Sequence, residues 1–169
     1  MIYAGDIDKE IDKRQETLQD AEVEGANLLD IGVGCLSHIA AERFNCKVTN
    51  IDISYDRIRY EKQQNPNINL LCADALYLPF KDKIFDVSVS YGVLHHIHSD
   101  IRERLIYEML RVSKTKIIIT EYNEKGFKIL HSKDNYTPVD LAWLENKLSH
   151  FKNIKIFRYE LLNVYVCKI

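Results

Sequence analysis

Apolar positions in this chain fall into short runs separated by amphipathic stretches. Residues 8–22 read as a charged amphipathic helix. After them, strand-like and helix-like text alternates. Strands are expected at 27–30, 47–53, 68–73, 84–90 and 116–121. Helices are expected at 35–44, with Ile39, Ala40 and Ala41 inward, at 54–64 and at 100–112. Ser54 is a residue type that caps helices, and Asn65, Pro66 and Asn67 stop the one it starts. Residues 78–82, LPFKD, read as a turn.

Apolar, β-branched strands alternating with helices imply a parallel sheet covered on both faces. The end of the chain departs from this. Residues 139–151 read as a helix, and two strand-like runs follow at 154–159 and 164–168. Only residues 160–163 separate them. A parallel crossover needs about a dozen residues or more, so the last two runs are expected to pair antiparallel.

Composition narrows the class. A chain of 169 residues suffices for one domain with a sizeable core, so 1–169 is read as a single domain with 1–23 as a helical extension. The 46% hydrophobic and 28% charged content gives no reason to expect disorder. A net charge of -2 without a basic block gives no indication of nucleic-acid binding. No apolar run approaches the ~20 residues of a membrane span. The first residues, MIYAGDIDKEIDKRQ, are polar and acidic, unlike a signal peptide. Cys35, Cys46, Cys72 and Cys167 form no CxxC pair and are expected as buried thiols in a cytoplasmic protein.

The candidate chemistry begins in LLDIGVGCLSHIAAERFNCKVTNIDIS, residues 28–54. Ligands of open α/β sheets bind beyond the carboxyl ends of strands, where the strand order reverses. The first strand ends at Asp30, so Gly32 and Gly34 stand in that loop. Glycine there permits positive φ and leaves no Cβ against a ligand. Asp52 ends the next strand, where a carboxylate can accept hydrogen bonds from both ribose hydroxyls. The text therefore points to a nucleoside-containing cofactor. A dinucleotide GxGxxG would place a third glycine at position 37, where Ser37 stands. Asp30 would also face a pyrophosphate unfavourably. It suits a cationic ligand better, such as the amino group and sulfonium of S-adenosylmethionine.

These residues, together with CADALYLPFKDKIFDVSVS and GVLHHI, resemble the class I, Rossmann-like S-adenosylmethionine-dependent methyltransferases with an LLDIGxGxG-type motif. The resemblance runs from about Asn27 to the C-terminus. It implies a seven-stranded doubly wound sheet in the order 3-2-1-4-5-7-6, strand 7 antiparallel. It implies a cofactor site of Asp30, Gly32, Gly34, Asp52, Ile53, Asp74, Ala75 and Tyr91, with Asp74 on the adenine amino group and the Ala75 N–H on the ring. Leu36 replaces the usual third glycine, so its side chain must turn away from the cofactor.

The acceptor side is less explicit. Tyr91 and Gly92 follow the fourth strand and are expected to border the transfer site. Tyr91 and His95 are the candidate catalytic residues, and at most one of His95 and His96 should reach the site. Tyr122, at the end of the fifth strand, is a second candidate for the transfer site, and Tyr136 could line a substrate pocket, with rim packing the default for each. His95, His96 and His98 lack the distant partner pair of a metal site, and none is expected. SYGV stands where an NPPY or DPPY motif would mark an adenine-N6 enzyme, and no Pro-Cys marks a cytosine-C5 enzyme. The remaining acceptors are a small molecule attacked at oxygen, nitrogen, sulfur or arsenic, a protein side chain, or a modified tRNA base. The site could be closed by the N-terminal helix, the 123–138 segment, a second subunit in a homodimer, or a macromolecular substrate. The alternative is a non-catalytic subunit of this fold that binds or activates a partner protein.

Overall fold

The computed structural model describes residues 4–169, with side chains from residue 11 onward. The first three positions of the extension expected over 1–23 lie outside the described residues; helix α1 (Ala4–Asp20) takes up most of the rest, and a turn follows it. Five strands run parallel: β1 (Asn27–Ile31), β2 (Lys47–Asp52), β3 (Asn69–Cys72), β4 (Phe85–Tyr91) and β5 (Ser113–Tyr122). β6 (Asn153–Arg158) and β7 (Leu162–Lys168) form the hairpin, and β7 pairs antiparallel with both β5 and β6. The sheet order is β3-β2-β1-β4-β5-β7-β6, as expected.

Strand alternation sorts the apolar side chains onto two faces. Leu29, Ile31, Ile117, Ile119, Tyr165 and Cys167 join one core with α4 (Arg102–Val112) and α6 (Leu141–Leu148). Leu28, Ile118, Val164 and Val166 join the other with α1 and α2 (Leu36–Arg43). Each fully buried Leu or Ile contributes about 1.5–3 kcal/mol. Both faces are therefore covered, as near-continuous apolar strands require.

Local signals set most boundaries. Ser54 caps α3 (Tyr55–Gln64), its hydroxyl accepting from the Arg57 N–H. The 78–82 turn is held to α4 by Arg111, which donates to the Leu78 and Phe80 carbonyls and pairs with Glu108 and Asp82. Glu108 also accepts the Leu78 N–H at 2.8 Å.

Two expectations are corrected. The 123–138 segment, in which no helix or strand was expected, holds α5 (Glu124–Leu130). Gly126 disguised it. A Cβ there would sit 1.9 Å from the Leu161 carbonyl oxygen, so the helix needs glycine to lie against the β6–β7 turn. The thiols are also not all buried. Cys46 and Cys167 are, Cys35 is half-buried, and Cys72 is exposed because β3 is an edge strand.

Candidate functional site

The sheet order reverses between β1 and β4, and a cleft of about 660 Å³ opens at the carboxyl ends of these strands and β2. That volume lies within the ~300–1,000 Å³ typical of small-molecule sites. Among the expected residues, Asp30, Gly32, Gly34, Asp52, Ile53, Asp74, Ala75 and Tyr91 all line it.

The loop after β1 is tied to β2 at several points. The Gly32 N–H donates to the Ile51 carbonyl at 2.7 Å, and the Asn50 amide donates to the Gly32 carbonyl at 2.8 Å. The Val33 N–H donates to Asp52 Oδ2 at 3.0 Å, and the Ser54 N–H to Asp52 Oδ1 at 2.8 Å. Asp52 is thus held by two backbone donors while lining the cleft. A carboxylate accepts about four hydrogen bonds, so both oxygens keep capacity for a ligand.

The two glycines differ. Gly32 has φ of 94°, and a Cβ there would lie 3.1 Å from Val93. Gly34 does not have the expected positive φ, and a Cβ there would meet nothing within 4 Å. Gly32 serves the turn, whereas Gly34 borders open space. Leu36 turns into the core and is 2% exposed.

Asp30 lies beneath the loop, 1% exposed. Its Oδ2 accepts from Ser37 at 2.6 Å and from Asn50 at 3.1 Å. Burial outweighs these bonds and pushes its carboxyl up to about 7. Asp74 is half-buried; its Oδ1 accepts the Leu76 N–H at 2.8 Å. Ile53 is 73% exposed beside Asp52, an apolar rim on which a flat ring could rest. A nucleoside with a cationic tail fits this donor set: a bare wall at Gly34, carboxylates at Asp52 and Asp74, and Asp30 beneath.

The opposite wall is made of rings. Tyr91 ends β4, and the Arg14 guanidinium from α1 lies 4.4 Å over its ring. A 3₁₀ turn, Leu94–His96, follows Gly92, which has φ of 63°. Glu121 of β5 fixes that turn, accepting the Leu94 N–H at 2.8 Å and lying 3.0 Å from His95 Nδ1. His95 was expected at the transfer edge. It is only 3% exposed and does not line the cleft, because Glu121 draws its ring inward. His96 lines the cleft instead, with Tyr136 packed edge-on at 4.2 Å between ring centroids. Tyr122, the second candidate for the transfer site, does not line the cleft; its ring lies tilted against that of His95, 5.6 Å between centroids, behind this wall. No group of His, Cys, Asp and Glu able to hold a metal occurs among the described residues.

Arg14, Glu121 and His131 were not foreseen. Glu121 had a signal: an acid inside the apolar run KIIITEY. Arg14 and His131 had none, since each reaches its place only through the fold.

A methyltransferase-domain family matches residues 29–119, more than half of the chain. The demethylmenaquinone methyltransferase of Renibacterium salmoninarum is 32% identical over 110 residues, covering 62% of this chain and 45% of the relative. The human probable tRNA methyltransferase 9B is 30% identical over 111 residues, covering 65% of this chain and 24% of the relative. The chain thus spans less than half the length of these two relatives. In fold it is similar to a SAM-dependent methyltransferase from Archaeoglobus fulgidus, with a TM-score of 0.79, 16% identity and 94% of each chain covered.

Proposed function

Because the chain belongs to the class I S-adenosylmethionine-dependent methyltransferase family, we propose that the cleft binds S-adenosylmethionine and directs its methyl group to an acceptor on the ring-lined wall. The observation that carries this is the convergence of the glycine loop, Asp30, Asp52 and Asp74 on one cleft at the point of strand reversal.

When bound, the cofactor supplies an electrophilic methyl group on cationic sulfur. The protein's part is to hold, orient and exclude water. Asp52, braced by the Val33 and Ser54 N–H groups, accepts from the ribose hydroxyls. Asp74 accepts from the adenine amino group, the Ala75 N–H donates to the ring, and Ile53 supports its face. Asp30 balances the cationic end. Tyr91 and Gly92 border the space left for the acceptor, closed on its far sides by α1 and Tyr136. Orientation in such a site can contribute on the order of 7 kcal/mol or more to the rate.

The relatives' names point to a quinone precursor and to tRNA, so we take the acceptor to be a small molecule or a modified tRNA base. Leu36, which replaces the usual third glycine, is packed in the core at the edge of the cleft and 2% exposed, so it leaves the cleft open to a cofactor and favours the enzyme over a non-catalytic subunit. No described helix is long and apolar enough to cross a membrane. The four free cysteines support a cytoplasmic location.

Calorimetry with S-adenosylmethionine, S-adenosylhomocysteine and NAD tests this reading. The first two should bind, and NAD should bind far more weakly. Tighter binding of NAD overturns it.

A further inference from the structure

The charges around the cleft are unevenly placed. Four segments frame its mouth, 52–57, 74–77, 97–101 and 134–140, and each contributes lining residues. They carry six aspartates, Asp52, Asp56, Asp74, Asp100, Asp134 and Asp140, and one arginine, Arg57. Arg57 lies 3.7 Å from Asp52, and Arg14 of α1 attracts the buried Asp30 carboxylate, so both cations answer acids of the cofactor wall. Three outer aspartates are engaged at the rim. Asp100 lies 3.5 Å from His98 and Asp134 lies 2.8 Å from His131, while Asp140 caps α6. Inside the cleft, the wall after β4 is uncharged from Val93 onward. Val93, His96, Ile97, Ile101 and Tyr136 line it, with no carboxylate, lysine or arginine among them. Ile101 and Tyr136 are exposed. Tyr136 meets His96 edge-on, and Arg102 ties their two segments together, donating to the Ile97 carbonyl at 2.9 Å and to the Thr137 carbonyl at 2.8 Å.

We propose that the methyl acceptor is an uncharged ring compound carrying an aliphatic substituent, and not RNA. Its ring lies against His96 and Tyr136, and its aliphatic part leaves the cleft over Ile97 and Ile101. This rests on the methyltransferase reading above and chooses between the two acceptor classes left open there.

RNA gains affinity from lysines and arginines that neutralise its phosphates. This mouth sets six carboxylates against the guanidinium groups of Arg14 and Arg57. An ammonium acceptor would be brought against the sulfonium with no carboxylate on its own wall. A neutral ring meets neither penalty. The wall also resists charge of its own: burial, with His95, His131 and Arg57 nearby, pushes the His96 imidazole down to about 4, against the pull of Asp52. Exposed apolar side chains gathered within a polar rim mark a surface that a ligand covers. Ile97 and Ile101 belong to the cleft itself, so that ligand is the one the cleft holds. Transfer to such an acceptor balances. An electron pair on an oxygen, sulfur or carbon of the ring compound forms the bond to the methyl carbon. The methyl–sulfur bond breaks, and its pair stays on sulfur, giving a neutral thioether. The proton displaced from the acceptor leaves to water at the mouth.

The test is calorimetry on the protein loaded with S-adenosylhomocysteine. The probes are phenol and para-heptylphenol as neutral rings, para-hydroxybenzoate and octylamine as charged ligands, and bulk tRNA. Para-heptylphenol is expected to bind about tenfold or more tightly than phenol, because its chain buries apolar surface at the mouth. It should exceed the charged ligands and tRNA by about the same factor. Ile101→Asp should abolish the advantage of the chain, bringing the two phenols within about twofold of each other, and should leave S-adenosylhomocysteine affinity within about twofold. In NMR spectra of the loaded wild-type protein, para-heptylphenol should move the ring resonances of His96 and Tyr136. Tighter binding of tRNA, octylamine or para-hydroxybenzoate overturns the proposal. So does the absence of binding by either phenol, a chain advantage that survives in Ile101→Asp, or transfer of a radiolabelled methyl group to tRNA. Failure of the wild-type protein to bind S-adenosylhomocysteine would instead overturn the methyltransferase reading beneath it.

Discussion

The two walls of the cleft are built on different principles. The wall formed by β1, β2 and the start of the 73–76 segment uses backbone. Asp52 and Asp74 are clamped by main-chain N–H groups, Asp30 is held by the Ser37 and Asn50 side chains, and the loop is laced to Asn50. The wall after β4 and β5 uses side chains drawn from separate segments: Arg14, Tyr91, His95, His96, Glu121, His131 and Tyr136. A wall made from backbone holds one ligand in one way. A wall made from side chains is free to suit different acceptors. The comparison implies that damage to one wall should spare the other.

The largest expected effect is on the ring wall. Glu121→Ala removes the acceptor for two buried donors, the Leu94 N–H and His95 Nδ1. At ~1–3 kcal/mol per unsatisfied group, folding stability should fall by about 3 kcal/mol in urea denaturation. Folded protein should still bind S-adenosylhomocysteine; loss of that binding would show that the walls are coupled.

On the other wall, Asp52→Ala should weaken S-adenosylhomocysteine binding by about 1.5–3 kcal/mol, the range for hydrogen bonds to a charged group. Unchanged affinity in calorimetry would reduce Asp52 to a brace for the loop.

The glycines sharpen the contrast within that wall. Gly32→Ala forces a side chain to φ of 94° and against Val93, so stability should drop by about 1–2 kcal/mol. Gly34→Ala should leave stability within about 0.5 kcal/mol, because its Cβ enters open space. It should lower cofactor affinity instead. Melting curves and titrations on the pair would reveal a reversal.

The last effect concerns Asp30 and is read as pH dependence. Its carboxyl is raised in the folded protein from 3.8 to about 7. A raised acid favours the folded state at low pH, and that contribution is lost as pH rises through about 7. Asp30→Asn should flatten the stability profile between pH 4 and about 7. A cationic ligand should draw the pKa back down, so binding near pH 7 should release a fraction of a proton. Calorimetry in buffers of different ionisation enthalpy reads this; no buffer dependence would place the cation elsewhere.

The same contrast explains what could be read in the sequence. Acids at the ends of successive apolar runs are a local pattern, so Asp30, the glycine loop and Asp52 were visible as spacing, whereas Asp74 and Ala75 came from the family resemblance; all of them line the cleft. The antiparallel hairpin was visible because a short link between strands forbids a crossover. The ring wall was visible only as the separate candidates Tyr91, His96 and Tyr136; its assembly was not, because His95 meets Glu121 across 26 positions and His131 follows a helix hidden by Gly126. Sequence proximity to β4 suggested His95. Only the Glu121 contact reveals that His95 faces inward while its neighbour faces the cleft. Gly34 shows the converse: its place was read correctly, its dihedral was not.

The most direct measurement is S-adenosylhomocysteine affinity, by calorimetry, in Asp74→Ala and His96→Ala side by side. Expected is a loss of tenfold or more in Asp74→Ala, from a charge-assisted hydrogen bond worth about 1.5–3 kcal/mol, and no change beyond twofold in His96→Ala. Equal losses in both, or a loss confined to His96→Ala, would contradict the division of the cleft into a cofactor wall and an acceptor wall.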